Sequence, residues 1–337
     1  MDTPKTPLAP AFADYLGYVS VKKAHTTYLH YRESLRQFWR SLGGGVDSIG
    51  RFVGTVKRSF IEDINRPDIL AFEGFLRTQG NADRTIHNRI RDLRTFISHH
   101  ELPWPMKKKD RIEYEERAVT AYSEGELRRL FAAMTQEEHE LYYAFLRTGF
   151  REREMMFLCW TDINWVDRLV WAQGKRDLGF RIKDKAARAV PVPDDLIHML
   201  AERRRRMPSA RLVFPRQSDQ TKPNGKMLRQ LKEIAFRSGL NCGECADRKG
   251  RSCAAHPNCR SAVGLHKFRR TFASQLHQAG TPVHDIRDYL GHSSLEVTLR
   301  YLEVSDKNSA ATRERINRLS GSLGLRPHGL PPPFLMT

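Results

Sequence analysis

Residues 290–304 read LGHSSLEVTLRYLEV, a helix-period run that sets Tyr301 nine residues after His292 of a Gly-His pair. With Leu295, Val297, Leu299 and Leu302 around it, the ordinary reading of Tyr301 is a packed core aromatic. The other reading is a nucleophile. A free phenol has a pKa of about 10, so it attacks almost nothing at neutral pH without help. What this stretch means therefore depends on what the rest of the chain places beside it.

The chain has 337 residues, a length that predicts two domains, and its 40% hydrophobic content can fill ordinary cores. No run approaches the ~18 apolar residues of a membrane span. The start, MDTPKTPLAP, lacks the charged-then-apolar order of a signal peptide. The expectation is a soluble, cytoplasmic protein with no membrane partner. Lys+Arg outnumber Asp+Glu 57 to 39, a formal net charge of +18. A polyanion rewards such an excess through counterion release, which makes nucleic acid the leading partner class. The excess is uneven: 15 basic against 11 acidic residues in 1–105 leave 42 against 28 for the remainder.

Residues 12–40 and 60–100 carry apolar positions at helical spacing, among them Tyr28, Tyr31, Leu35, Phe38, Trp39, then Ile69, Phe72, Leu76, then Ile86, Ile90, Leu93, Phe96, Ile97. The glycine-rich SLGGGVDSIG divides the two runs. A small helical module over 10–105 follows, then a linker over 106–117 that carries a lysine run and has two prolines just before it. Ser123 and Glu126 fit a capping box that opens the second domain, 118–320. Helices are expected to continue through LYYAFLRTGFREREMMFLCW, with Cys159 as plain core within an apolar helix. Short strands are expected at RLVWAQ, FRIK and RAVPVP, and helices again at 194–206, 226–238, 266–280, 282–290 and 294–303. The proline-rich 321–337 reads as an irregular tail.

A tyrosine attacking a phosphodiester needs its nonbridging oxygens neutralised and its leaving alkoxide protonated. Arginine suits the first task because its planar fork binds phosphate bidentately, and lysine or histidine suits the second. TGFREREMMF places Arg151 after a Thr-Gly turn with Glu154 three residues on; taken alone this is an ordinary surface ion pair. GLHKFRRTFASQL offers His266 and Arg269 from the start of a helix. His-x-x-Arg is weak by itself, since His284 and Arg287 repeat it.

Together, TGFRERE, HKFRRTFAS, YLGH and RYLEV are far more specific, and over most of its length the chain resembles the tyrosine recombinases, the phage-integrase family. The resemblance implies a mainly α fold with a small β-sheet: an N-terminal helical core-binding (SAM-like) domain that clamps DNA, plus a mixed α/β catalytic domain. It implies a site-specific DNA recombinase that cuts and rejoins DNA through a 3′-phosphotyrosyl intermediate, for integration or excision of a mobile element. Arg151 and Arg269 would clamp the scissile phosphate, His266 assist proton transfer, His292 hydrogen-bond a nonbridging oxygen and Tyr301 attack, with Glu154 supporting the Arg151 helix. Lys183 sits eight residues before Pro191, the family's spacing for a leaving-group lysine on a hairpin turn, with Lys175 and Lys185 as competitors. The resemblance also implies a C-shaped clamp on double-stranded DNA and a homo-tetramer on two sites, with an accessory DNA-bending protein as an optional partner. A helix in NSAATRERINRL is expected to dock on a neighbouring protomer. No metal or nucleotide cofactor is implied for the chemistry. A type IB topoisomerase-like relaxase and a non-catalytic, zinc-containing DNA-binding regulator are the competing classes.

Four of the five cysteines lie just before His266, in CGECADRKGRSCAAHPNC over 242–259. Clustered thiols in a cytosolic basic protein point to metal more than to disulfides. Cys242 and Cys245 form a zinc-knuckle half, and Cys253 and Cys259 a wider second pair with His256 inside it as a substitute ligand. The expectation is a structural zinc in an insertion over 241–260, with free or redox-active thiols as the other reading. Such a site would stiffen the loop that delivers His266 and Arg269, or present Arg248, Lys249 and Arg251 to DNA.

Overall fold

A computed structural model describes residues 4–114, 120–182, 187–247 and 249–302, with Arg300 and Tyr301 described by their backbone alone. The chain forms two compact units, Met1–Arg117 and Ala118–Thr337.

The first unit is built from four helices, α1 (Leu8–Lys22), α2 (His25–Ser41), α3 (Arg66–Thr78) and α4 (Asp83–His99). Each buries residues three and four apart, as with Phe12, Tyr15, Leu16 and Val19 of α1 or Leu93, Phe96 and Ile97 of α4. Their meeting point is aromatic: Phe12 lies 4.9 Å from Phe96, and Phe38 5.2 Å from Phe72, edge to face. The first long apolar run is two helices, broken at Lys23–Ala24 without glycine or proline. The glycine-rich break is a hairpin, β1 (Gly45–Val46) with β2 (Phe52–Val53), held by the Trp39 indole donating to the Val53 carbonyl at 3.0 Å. The segment after α4 is anchored on this unit: Leu102, Trp104 and Met106 pack on its core, and Asp110 takes two hydrogen bonds from Arg66.

The second unit opens with α5 (Glu124–Ala132) and α6 (Gln136–Thr148). Both start on reciprocal capping boxes, Ser123 with Glu126 and Thr135 with Glu138. A one-turn helix, α7 (Glu152–Met156), follows, then an antiparallel sheet β3 (Ile163–Asn164), β4 (Leu169–Ala172), β5 (Arg188–Pro191) in sequence order. Next come α8 (Asp194–Arg206), the hairpin β6 (Pro215–Arg216) and β7 (Asp219–Pro223), α9 (Met227–Arg237), α10 (Leu265–Gln278), α11 (Val283–Leu290) and α12 (Leu295–Leu302). The core centres on Phe268 of α10, stacked on Tyr142 and Phe145 of α6.

Two expectations are corrected. The helices do not continue through Trp160: α6 stops at Gly149, at φ +63°, α7 ends at Met156, and Cys159, buried core as expected, lies in an extended connection bridged to Leu212. Of FRIK, residues 180–182 form no strand; Phe180 makes only an isolated bridge to Lys175. The fold as a whole is the expected mainly α architecture with small antiparallel sheets. Among the described residues no helix is long and apolar enough to cross a membrane. The helix expected in NSAATRERINRL and the tail 321–337 lie outside the described residues.

Candidate active site

Two glycine turns bring the arginines together. Gly149 ends α6 in the left-handed conformation, where a Cβ would lie 2.4 Å from the Phe272 ring. Arg151 follows as the N-cap of α7, and its backbone amide donates to the Glu154 carboxylate at 2.8 Å while its guanidinium donates to the same group at 3.0 Å. Gly291, at φ +61°, ends α11. Arg151 reaches it, donating to the Gly291 carbonyl at 3.3 Å. Arg269, buried on α10, donates to the Gly149 carbonyl at 2.7 Å and to the Leu290 carbonyl. Helix C-termini leave such carbonyls without intrahelical donors, and here arginines supply them.

His292 directly follows the second turn. Its Nδ1 lies 3.0 Å from the hydroxyl of Thr298, which is fully buried on α12, so the ring is tied to the helix that carries Tyr301 three residues later. The Tyr301 side chain is outside the description. His266 is exposed on the first turn of α10. That turn is pinned: the Tyr122 hydroxyl donates to the Gly264 carbonyl at 3.2 Å and accepts from its amide at 3.1 Å, and Lys267 donates to Glu126 and to the Ala262 carbonyl.

Arg188, at the start of β5, escaped the reading of the sequence. Its two Nη atoms donate to both Glu154 oxygens at 3.0 and 2.6 Å, and its Nε to the Tyr289 carbonyl at 2.7 Å. Burial would push the Glu154 carboxyl up; the hydrogen bonds and charge of Arg188, with Arg151, override it and hold the group down at about 2. A signal existed, since strand alternation sets Arg188 on the same buried face as Val190. Thr298 had no comparable signal.

Of the three lysines, Lys175 is buried with its Nζ 2.7 Å from Asp162, which also accepts from Gln173 and from the Cys159 amide. Such a buried pair is occupied in holding the sheet. Lys183 and Lys185 lie outside the described residues.

The four cysteines do meet. The sulfurs of Cys242, Cys245, Cys253 and Cys259 all lie within 4.8 Å of one another, with Cys242 3.5 Å from Cys253 and 3.7 Å from Cys259. These separations are far beyond an S–S bond and close to the ~3.8 Å edge of a tetrahedron with Zn–S bonds of about 2.3 Å. Backbone amides of Cys245 and Arg260 donate to the sulfurs of Cys242 and Cys245. The Ser261 hydroxyl, with the Cys245 and Glu244 amides, pulls the Cys242 thiol down to about 6. His256 is exposed and outside the cluster.

Guanidinium groups gathered at a helix end beside an imidazole suit an oxyanion such as phosphate. Known proteins are similar to this chain over most of its length. A tyrosine recombinase of Thermosipho africanus is 24% identical over 312 residues, covering 88% of this chain and 94% of the relative. Among solved structures, the Tn1549 transposon integrase in complex with transposon right end DNA matches 94% of this chain and 100% of that one at a TM-score of 0.67 and 15% identity. A lambda integrase tetramer bound to a Holliday junction matches 90% of this chain and 80% of that one at a TM-score of 0.63 and 14% identity. These two likenesses show the fold. The family model described as the phage integrase family matches residues 122–308, more than half the chain, and with that match the chain belongs to the phage integrase family, the tyrosine recombinases.

Proposed function

We propose that this chain is a site-specific DNA recombinase that cuts one strand at a time by attack of Tyr301 on the scissile phosphate. The Tyr301 oxygen bonds to phosphorus, the 5′ oxygen leaves, and a 3′-phosphotyrosyl link holds the cut until a second 5′-hydroxyl reverses it. Arg151 and Arg269 neutralise the nonbridging oxygens, His292 donates to one of them, His266 moves the tyrosine proton, and a lysine between β4 and β5 in the sequence, Lys183 or Lys185, protonates the leaving oxygen. No bound metal is required for these steps, because guanidinium groups supply the charge. The biological role assigned is integration or excision of a mobile element, with four protomers on two duplex sites.

The observation that carries this reading is the convergence of Arg151 and Arg269 on the carbonyls of Leu290 and Gly291, the two residues before His292, whose ring is tied to the helix of Tyr301. The test uses a pool of nicked suicide duplexes with randomised arms, from which denaturation-resistant protein–DNA adducts are captured. Wild-type protein is expected to yield adducts and Tyr301→Phe none. Tight DNA binding with no adduct from wild type would leave the DNA-binding regulator as the better description.

The cysteine cluster supports a second assignment, a structural zinc held by Cys242, Cys245, Cys253 and Cys259. Bound there, zinc would draw the loop closed from the end of α9 to the pinned start of α10 and take no part in the reaction. Purified protein should contain one zinc per chain, and chelation should lower its unfolding temperature. Four titratable thiols without stoichiometric zinc would remove the assignment.

A further inference from the structure

Three arginines end on the last three carbonyls before His292: Arg188 on Tyr289, Arg269 on Leu290 and Arg151 on Gly291. Two of them form the phosphate clamp proposed above. Arg188 has no part in it, yet it holds both oxygens of Glu154 as well as the Tyr289 carbonyl. Its guanidinium also lies over the Phe150 ring at 5.6 Å. The turn accommodates it closely, since a Cβ on Gly291 would stand 3.0 Å from Arg188 Cδ.

Glu154 is 4% exposed and accepts from two guanidinium groups, Arg151 through one nitrogen and Arg188 through two. The bidentate contact is the stronger, so Arg188 carries most of the carboxylate's charge. Without Arg188, a buried carboxylate would fall to Arg151, and phosphate would have to compete with it. Arg188 also stands on β5, and its hydrogen bond to Tyr289 joins that strand to the end of α11.

We propose that Arg188 is a positioning residue for strand cleavage: it neutralises Glu154 and fixes the Tyr289–Gly291 turn, which holds the Arg151 guanidinium at Gly291 for the phosphate. The inference rests on the phosphotyrosyl reading.

The test compares single-turnover cleavage of a nicked suicide duplex at saturating protein, DNA affinity and thermal unfolding for wild type, Arg188→Met, Arg188→Lys and the double variant Glu154→Gln/Arg188→Met. Arg188→Met is expected to cleave about 10- to 100-fold more slowly with unchanged DNA affinity, as for loss of a group that orients a directly acting one. Arg188→Lys should recover part of the rate. The double variant should cleave about tenfold faster than Arg188→Met, because no carboxylate is left to hold Arg151. A double variant no faster than Arg188→Met would reduce Arg188 to packing and overturn the proposal. If Arg188→Met does not fold, the double variant, which leaves no buried charge unpaired, decides alone: cleavage within about tenfold of wild type supports the proposal and any larger loss overturns it. Adducts formed equally by wild type and Arg188→Met overturn this inference alone, whereas no adduct from wild type overturns the reading beneath it.

Discussion

The two units solve the problem of a core differently. In the first, the interior is an aromatic cluster of Phe12, Phe38, Phe72 and Phe96, and Asp68 and Asp92 are the charged side chains that its described residues bury. In the second, Glu140, Glu154, Asp162, Lys175, Arg188, Arg203, Lys267 and Arg269 are all buried. Removing a charge from water costs several kcal/mol unless partners are well placed, so the second unit is held by geometry as much as by apolar burial. The buried charges are not alike. Lys175 with Asp162 and Arg203 with Glu140 tie scaffold to scaffold, whereas Arg188 and Arg269 point at the turn before His292. Burial alone does not mark a site; the backbone that the charge serves does.

Arg269→Met tests that distinction most severely. It leaves the Gly149 and Leu290 carbonyls without this donor and removes half of the proposed phosphate clamp, so covalent cleavage should fall about 10³-fold or more. Cleavage near the wild-type rate would place Arg269 with the scaffold arginines. Lys175→Met should sharpen the contrast from the other side. Stranding the Asp162 carboxylate should cost about 3 to 5 kcal/mol in urea unfolding, while adduct formation by the protein still folded persists. Loss of cleavage at full stability would instead move Lys175 into the reaction.

Acid should separate the units more gently. The Glu154 carboxyl is held at about 2 in the folded chain against an ordinary 4.5, so its contribution to stability is complete above the ordinary value and is lost as pH falls toward 2. Glu154→Gln should therefore flatten the fall of unfolding temperature between pH 4.5 and 2 relative to wild type. Parallel curves would show that Arg188 and Arg151 do not depress that carboxyl.

Much of this was legible in the residues. Helical spacing located most of the helices, and the capping box read at Ser123 starts its helix as free N–H groups require. The cysteine spacing brought together the four sulfurs that meet. Arg188 was harder to see, because in so basic a chain an arginine defaults to surface, and only its pairing with Glu154, 34 residues away, makes burial tolerable. Cys159 was misplaced because an apolar run reads equally as helix or buried extended chain. The strand DQTKP of β7 has neither alternation nor β-branched richness, and its pairing with β6 is tertiary.

Thr298 gives the smallest effect and the finest test. Its hydroxyl and His292 Nδ1 are 3.0 Å apart, so whichever atom carries the proton, that contact occupies Nδ1 and sets how the ring is turned. Valine at 298 keeps the shape and removes the hydroxyl, with a loss of about 1 kcal/mol expected for one such hydrogen bond. If the contact only packs α12 against the turn, that loss appears in stability and cleavage at saturating DNA is unchanged. If it orients His292, cleavage falls several-fold beyond what reduced folding explains, and the deficit vanishes in a His292→Ala background, where no ring remains to be oriented. The second outcome would place a threonine with no motif of its own beside Arg188, among the residues that aim the site from behind.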